Sequence, residues 1–523
     1  MSIFKHARVV SIFTGLSRLL GLLREVLMAY FFGDELAKSA FDVAFKIPNL
    51  FRRLFGEGAL SAAFVPIFSE VLEQEGPEAA KRMAGKVITL LAAVLLMIAA
   101  AATLIITLII NNADLGEKTA AVLPLLRIMF PYMICICLVA LCMGILNSID
   151  RFALPAATPI LLNLVWIAAL FLLCPRFGTT LETRIYGVAW GILFAGALQL
   201  AIQIPALISS GMWPHFSLDW RDRRIQRILL LMGPAAIGMG IHQLNVVMDG
   251  ILALWVGTWA PAALTYAERL IYLPLGLFAT ALSTVLLPTF SRQAARAELD
   301  GIATTMADSI RGLMVIMIPA AVGLAVLSGP LVRFIFQSGQ FDDMATVRTA
   351  RALMFYAPGL IVFSLYKILV PAFYALKDTR TPVRVGIMAV FINLALNILF
   401  ILTWPDGYKH AGLACATVIS SGLNCLILGI LITRRVGSPG WVSLGLSFLK
   451  VAGASLLMAV IVVTVMHGLP TWIPIASEAT KYGQLIFVGI GVSLGIISYA
   501  VAAAILCRTE LRVLRQRRSS QAP

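Results

Sequence analysis

Charged side chains are scarce. Only 13% of the 523 residues are Asp, Glu, Lys or Arg, where a soluble globular domain carries about 25%. Acids are scarcer than bases, 26 against 41, so the formal charge is +15. The chain has no basic low-complexity arm and no aromatic–basic interleaving, so the excess charge is no nucleic-acid footprint. It fits basic cytoplasmic loops between membrane spans. Histidine is limited to five residues and cysteine to seven. Cys135, Cys137 and Cys142 are the closest group, but no His lies nearby, and Cys135 and Cys137 point to opposite sides of a helix. They read as small buried hydrophobes rather than metal ligands. No cleavable leader is expected. Lys5, His6 and Arg8 precede an apolar segment, but Arg18 and Arg24 interrupt it and no small-residue cleavage site follows. The segment reads as a retained first span.

What the chain has is hydrophobic length. Apolar residues make up 60% of it, with a mean hydropathy of +0.92. Runs of about 20 apolar residues are long enough to span a bilayer, and fourteen are expected, the first over 9–32 and the last over 483–507. With the N-terminus inside, the cytoplasmic loops collect Lys81, Arg82, Lys86, Arg221, Arg223, Arg224, Arg227, Lys377, Arg380, Arg434 and Arg435. The opposite loops hold mainly Lys38, Lys118, Arg176, Arg184, Arg333, Lys409 and Lys481. That asymmetry puts both termini in the cytoplasm.

The chain also repeats itself. Leu60-Ser61-x4-Pro66-x-Phe68-Ser69 returns as Leu282-Ser283-x4-Pro288-x-Phe290-Ser291. Met129-Phe130 returns as Met354-Phe355, and Pro155 as Pro382. Glu25, Ala29 and Gly33 return as Asp249, Ala253 and Gly257. The shared spacing predicts two homologous halves of six spans. Six is even, so the repeats are parallel, as in transporters with a site at the repeat interface. The expected fold is an all-α polytopic membrane protein with 14 transmembrane helices. Two parallel-repeat six-helix lobes surround a central cavity, and two C-terminal helices lie outside them. The boundaries expected are 1–214 for the first lobe, 215–437 for the second with a cytoplasmic amphipathic linker at its start, and 438–523 for the last two spans and a basic tail.

The stretch "FKIPNLFRRLFGEG" at 45–58 places Lys46, Arg52, Arg53 and Glu57 inside an apolar run. Arg18, Arg24 and Arg269 also lie within spans. A charge at the bilayer centre costs roughly 2.5–3.5 kcal/mol on insertion scales. Snorkelling or local pairs, such as Arg53 with Glu57 or Arg269 with Glu268 or Asp249, account for single cases. The set as a whole, drawn from matching spans of both halves, points to a shared basic cavity. Arginine's planar, permanently charged fork fits phosphate oxygens two at a time, so the expected ligand is a phosphate or pyrophosphate anion. Pro48 and Gly56 to Gly58 predict a bend in the second span beside that cavity.

These residues carry a resemblance. "SRLLGLLRE", "FKIPNLFRRLFGEGALSAAFVPIF", "YAERLIYLPLGLFATALSTVLLPTFS" and "PAFYALKDTRTPVRVGIMAVFINLALN" resemble the MurJ/MviN family of bacterial lipid II flippases, relatives of the multidrug MATE exporters. The likeness runs the full length. It implies that lipid II, the undecaprenyl-pyrophosphate-linked peptidoglycan precursor, is moved from the inner to the outer leaflet of the cytoplasmic membrane by alternating access, with no covalent chemistry. By that likeness Arg24 and Arg269 bind the pyrophosphate. Arg18 and Arg52 shape the cavity and its gates, with Ser17 and Glu25 beside them, and Lys46, Glu57 and Glu268 line the cavity or its gates. Spans 13 and 14 would hold the polyprenyl tail. Cell-wall synthesis and division machinery are the partners implied, though no residue carries them.

Two departures stand out. Where the family usually has an acid before "AFF", this chain has Ser39, with Asp42 three residues on as the expected stand-in at a periplasmic gate. Some members bind Na+ through an acid in the seventh span and an Asn-x3-Asp pair in the eleventh; here those positions are Asp249, Asn393 and Asn397, one charge fewer. Coupling through Na+, through a proton passed by His242 and Asp249, or through the membrane potential stays open. The runner-up function is export of another polyprenyl-pyrophosphate-linked oligosaccharide. A membrane phosphatase is disfavoured because it needs a positioned nucleophile and acid–base pair, and the five histidines are scattered.

Overall fold

The computed structural model describes residues 3–56, 59–472, 480–508 and 510. Among these residues the chain is helical throughout, with no strand. Lipid offers no partner for backbone N–H and C=O groups, so a spanning segment must satisfy them within itself, as a helix does. The chain forms two compact units, Met1–Ala262 and Ala263–Pro523.

The first unit contains α1 (Ile3–Phe32), α2 (Leu36–Phe51), α3 (Ala59–Glu75), α4 (Pro77–Asn112), α5 (Glu117–Met129), α6 (Tyr132–Ser148), α7 (Ala153–Leu172), the single turn α8 (Cys174–Phe177), α9 (Leu181–Ser209) and α10 (Arg223–Val256). α1 packs on α7, α7 on α9, and α10 along α2 and α3. One apolar core joins Met28, Phe41, Phe64, Phe68, Tyr132 and Trp166. The second unit follows with most of α11 (Ala260–Pro274), then α12 (Thr280–Ala295), α13 (Leu299–Val326), α14 (Ser328–Phe336), α15 (Asp343–Tyr356), α16 (Gly359–Ala375), α17 (Arg380–Thr403), α18 (Lys409–Val436), α19 (Trp441–Trp472) and α20 (Lys481–Leu506). α19 and α20 pack on each other and on α13, with Val315, Ile318, Val451, Ala454, Ala502 and Ala503 between them.

By length and apolarity, nine helices among the described residues can cross a membrane, or eleven when two bent pairs each count as one span. The other three expected runs fall on α1, on α2–α3 and on α10, so the expected count of fourteen is not reached among the described residues.

The duplication is visible in the breaks. Past Pro48, α2 widens into a π-turn at Arg52–Gly56; past Pro274, α11 widens into another at Leu275–Ala279. Proline removes one donor from the ladder and crowds the preceding turn, and π-turns often mark functional sites. The expected bend of the second span is therefore a proline-linked π-turn, and its counterpart sits where the repeat places it. Likewise α5 bends into α6 by 42° and α15 into α16 by 44°, each just beyond the repeated Met-Phe pair.

The linker between α9 and α10 docks on the first unit. Lys86 Nζ donates to Asp219 Oδ2 and Asp222 Oδ2, each at 2.8 Å. Arg224 pairs with Glu75 at 2.9 Å and Arg227 with Glu70 at 3.3 Å. His215 meets Glu78 at 3.3 Å, and its backbone N–H donates to the Lys81 carbonyl. Gly85 lies directly under the His215 carbonyl, where a Cβ would collide. Trp213, Phe216, Leu218 and Trp220 stay exposed, an apolar face suited to the membrane interface.

Candidate functional site

The first unit gathers four charged side chains where α1 meets α2. Arg24 and Glu25 of α1 are 7% and 2% exposed, and Lys38 and Asp42 of α2 are 1% and 9% exposed. Arg24 Nη2 donates to Glu25 Oε1 at 2.6 Å. Lys38 Nζ lies 3.8 Å from Glu25 Oε2 and donates to both Asp42 oxygens at 2.5 Å. The i,i+4 spacing stacks Lys38 and Asp42 on one helix face. Signs alternate along the chain of contacts, so two cations and two anions cancel. Burial demands such pairing, because an uncompensated charge out of water is costly.

The other edge of Arg24 is also held. Nη1 donates to Asn163 Oδ1 at 3.0 Å, and the guanidinium carbon sits 4.1 Å from the centre of the Trp166 ring, a cation–π contact. Phe41 and Phe45 pack edge-on against Trp166, whose Nε1–H points at Met28 Sδ. Asn163 Nδ2 donates to the Ser17 carbonyl at 3.1 Å, so Ser17 takes part through its backbone. Lys38, Asn163 and Trp166 were not singled out from the sequence as site residues. Lys38 looked like a loop cation, yet it lies in the first turn of α2 and is buried. Asn163 and Trp166, three apart in an apolar run, were the available signal.

Ser39, fully buried, accepts from the Ala262 N–H at 3.3 Å. A neutral hydroxyl thus satisfies an orphan amide in the first turn of α11, while Asp42 carries the charge one turn on. Arg52 Nε donates to Asn49 Oδ1 at 2.7 Å. Arg53, the bystander of the pair by sequence, donates through Nη1 to Gln243 Oε1 of α10 at 3.1 Å. Lys46 runs along α10 against Gly250, where a Cβ would meet its Nζ at 3.0 Å. Arg18 is exposed. Glu57 lies outside the described residues, as does the side chain of His242. A cleft of about 560 Å³ opens beside α2, lined by Val43, Glu117, Lys118, Ile251 and Trp255 among others. Lys118 donates to the carbonyls of Leu254 and Trp255 at the end of α10, where a cation complements the helix dipole.

Asp249 of α10 is half-buried and accepts from Asn245 Nδ2 at 3.3 Å. In the second unit Arg269 is exposed, and its neighbour Glu268 accepts from the Tyr272 hydroxyl at 2.7 Å. Asn397 Nδ2 donates to Asn393 Oδ1 at 3.0 Å, and Asn393 Nδ2 reaches Thr417 and Ser420 at 3.4 Å. Among the described residues no three His, Cys, Asp or Glu side chains gather as a metal site.

A duplicated helical membrane protein with broken helices and a buried arginine within a span belongs to the class of transporters. Its fold is shared with a MATE multidrug transporter of the MOP superfamily in an inward-facing conformation, with a TM-score of 0.67 and 15% identity over 84% of this chain and 99% of that one. A solved structure titled lipid II flippase MurJ, inward closed conformation, is nearer: its TM-score is 0.78 at 27% identity, over 96% of this chain and 99% of that one. The family model described as "Lipid II flippase MurJ" matches residues 28–483. The lipid II flippase MurJ of Burkholderia cenocepacia is 35% identical over 88% of this chain and 89% of its own length. The probable lipid II flippase MurJ of Vibrio cholerae is 35% identical over 82% of each. The chain belongs to the MurJ family of lipid II flippases.

Proposed function

We infer that this protein is a transporter that flips lipid II across the membrane, and not an enzyme. The observation that carries the inference is the family match over residues 28–483. The direction is from the inner to the outer leaflet of the bacterial cytoplasmic membrane, by alternating access, with both termini in the cytoplasm. The membrane orientation rests on the basic loops, and the supply of lipid II to the cell-wall synthesis and division machinery on the chemistry of the substrate.

Arg24 of the first half and Arg269 of the second are the residues proposed to hold the pyrophosphate, with Arg18 and Arg52 shaping its path; the repeat pairs the span of Arg269 with that of Arg52. Arg24 supports this reading by its surroundings. Its guanidinium is pre-positioned by Asn163 and Trp166 and neutralised by Glu25. An arriving pyrophosphate exchanges with the Glu25 carboxylate, and Glu25 keeps Lys38 as a counter-ion. The charge released on one side is taken up on the other, so the cluster need not bury a bare ion in either state.

For coupling, we propose protonation of Asp249. Sodium fits these residues less well, because Asn397 stands where some members have an acid, so the set carries one charge fewer. The function is tested by supplying this chain to cells whose own flippase has been shut off, and measuring labelled lipid II open to a membrane-impermeant reagent. Restored outer-face lipid II is expected. No restoration by well-inserted protein would favour another polyprenyl-pyrophosphate-linked oligosaccharide as cargo.

A further inference from the structure

The second unit has a basic cleft that the transport reading does not use. It holds about 260 Å³ between α14 and α15, lined by Ser328, Arg333, Thr346, Val347, Arg351 and Met354 among others. Two arginines and no carboxylate line it. Arg351 is fixed in place: Nη1 donates to the Gly407 carbonyl at 2.9 Å, and the guanidinium carbon lies 4.5 Å from the centre of the Tyr408 ring. Arg333 lies 3.5 Å from Asp343 Oδ1, an oxygen that also accepts from Gln337 at 2.8 Å. Asp343 is 78% exposed, so water screens it and it offsets little of the charge. A third cation, Lys481, donates to the carbonyls of Arg333 and Phe334 at the end of α14.

The cleft is continuous with an apolar strip. Met344, Val347, Arg351 and Met354 recur at helical spacing along α15, and the three apolar members are exposed. Val347 and Met354 belong to both the strip and the cleft wall. A free anion has no use for the strip, whereas a lipid presents a phosphate and hydrocarbon together. The loop charges put the α14–α15 and α17–α18 connections on the outer side of the membrane.

We propose that this cleft binds the phosphodiester headgroup of an outer-leaflet glycerophospholipid. Arg333 and Arg351 take the phosphate oxygens, as the guanidinium fork does well, and the strip of α15 lies along the acyl chains. Its lining includes none of the arginines proposed to hold the pyrophosphate, and the inference does not depend on what the protein transports.

The test is native mass spectrometry of the delipidated full chain titrated with phosphatidylglycerol, with inorganic phosphate as competitor. Two variants approach the cleft from opposite sides. Arg333→Gln with Arg351→Gln removes its charge, and Val347→Trp fills it while keeping the charge. One tightly bound lipid in the wild type, weakened about tenfold by either variant and unaffected by millimolar phosphate, is expected. Undiminished lipid binding in Val347→Trp overturns the proposal even where the arginine pair proves necessary for folding. Stoichiometric displacement of the lipid by inorganic phosphate overturns it in favour of a free-phosphate site.

Discussion

At the scale of the residue, the account turns on arginines in places that lipid disfavours. Arg24 is buried among Glu25, Asn163 and Trp166, and a structural salt bridge alone would make it replaceable. The cargo role predicts otherwise: Arg24→Lys keeps the charge but loses the planar fork, and lipid II export should fall at least tenfold at unchanged membrane level. Full activity of Arg24→Lys would reduce Arg24 to a structural ion. Lys38 is the contrasting case. Lys38→Met strands Asp42 without its cation, while Glu25 keeps Arg24, and should cost about 3–5 kcal/mol, read as a lowered unfolding temperature in detergent. Adding Asp42→Leu should recover most of that loss, because an apolar pair can replace a buried ion pair; no recovery would mean Lys38 is held mainly by Glu25. The intramembrane arginines were legible in the sequence because charge stands out against an apolar background. Lys38 was not: it sits four residues before Asp42 at a span's edge, and its burial depends on how α2 packs on α1.

At the scale of the element, the fold was legible where physics is local. Apolar length gave most of the spans, and Pro48 gave the bend of the second; the π-turn past Pro274 and the bends beyond the Met-Phe pairs were not read from sequence. What sequence could not give was docking, since Lys86 meets Asp219 and Asp222 across more than 130 residues. The linker's carboxyls carry the mark of that docking. Lys86 beside Asp219 holds its carboxyl below the usual value. Burial pushes Asp222 up, but hydrogen bonds from Lys86 and the Arg224 amide outweigh it, and the net shift is downward. Lys81, then His215, hold Glu78 down. Lowered carboxyl values stabilise the docked state above the ordinary carboxylate range, and that contribution is lost as pH falls through the lowered values. A fluorophore on Ser217→Cys should keep high anisotropy from pH 8 to 5 and lose it below about pH 4. Release on raising the pH would contradict the assignment. Gly85→Ala, which sets a methyl against the His215 carbonyl, should free the linker at neutral pH as well.

At the scale of the whole molecule, the claim is that a helical chain of the MurJ family moves lipid II, with Arg24 of the first half and Arg269 of the second proposed to hold its pyrophosphate. Coupling belongs at this scale: Asp249→Asn should abolish export driven by a proton gradient while leaving lipid II binding within about threefold, and retained export would exclude a proton at Asp249. The central claim is tested most directly by complementation. Cells depleted of their own lipid II flippase would carry the wild type, Arg24→Ala or Arg269→Ala, each at matched membrane levels. The account predicts growth and normal shape with the wild type and lysis with either variant. Growth supported equally by Arg24→Ala and Arg269→Ala would contradict it.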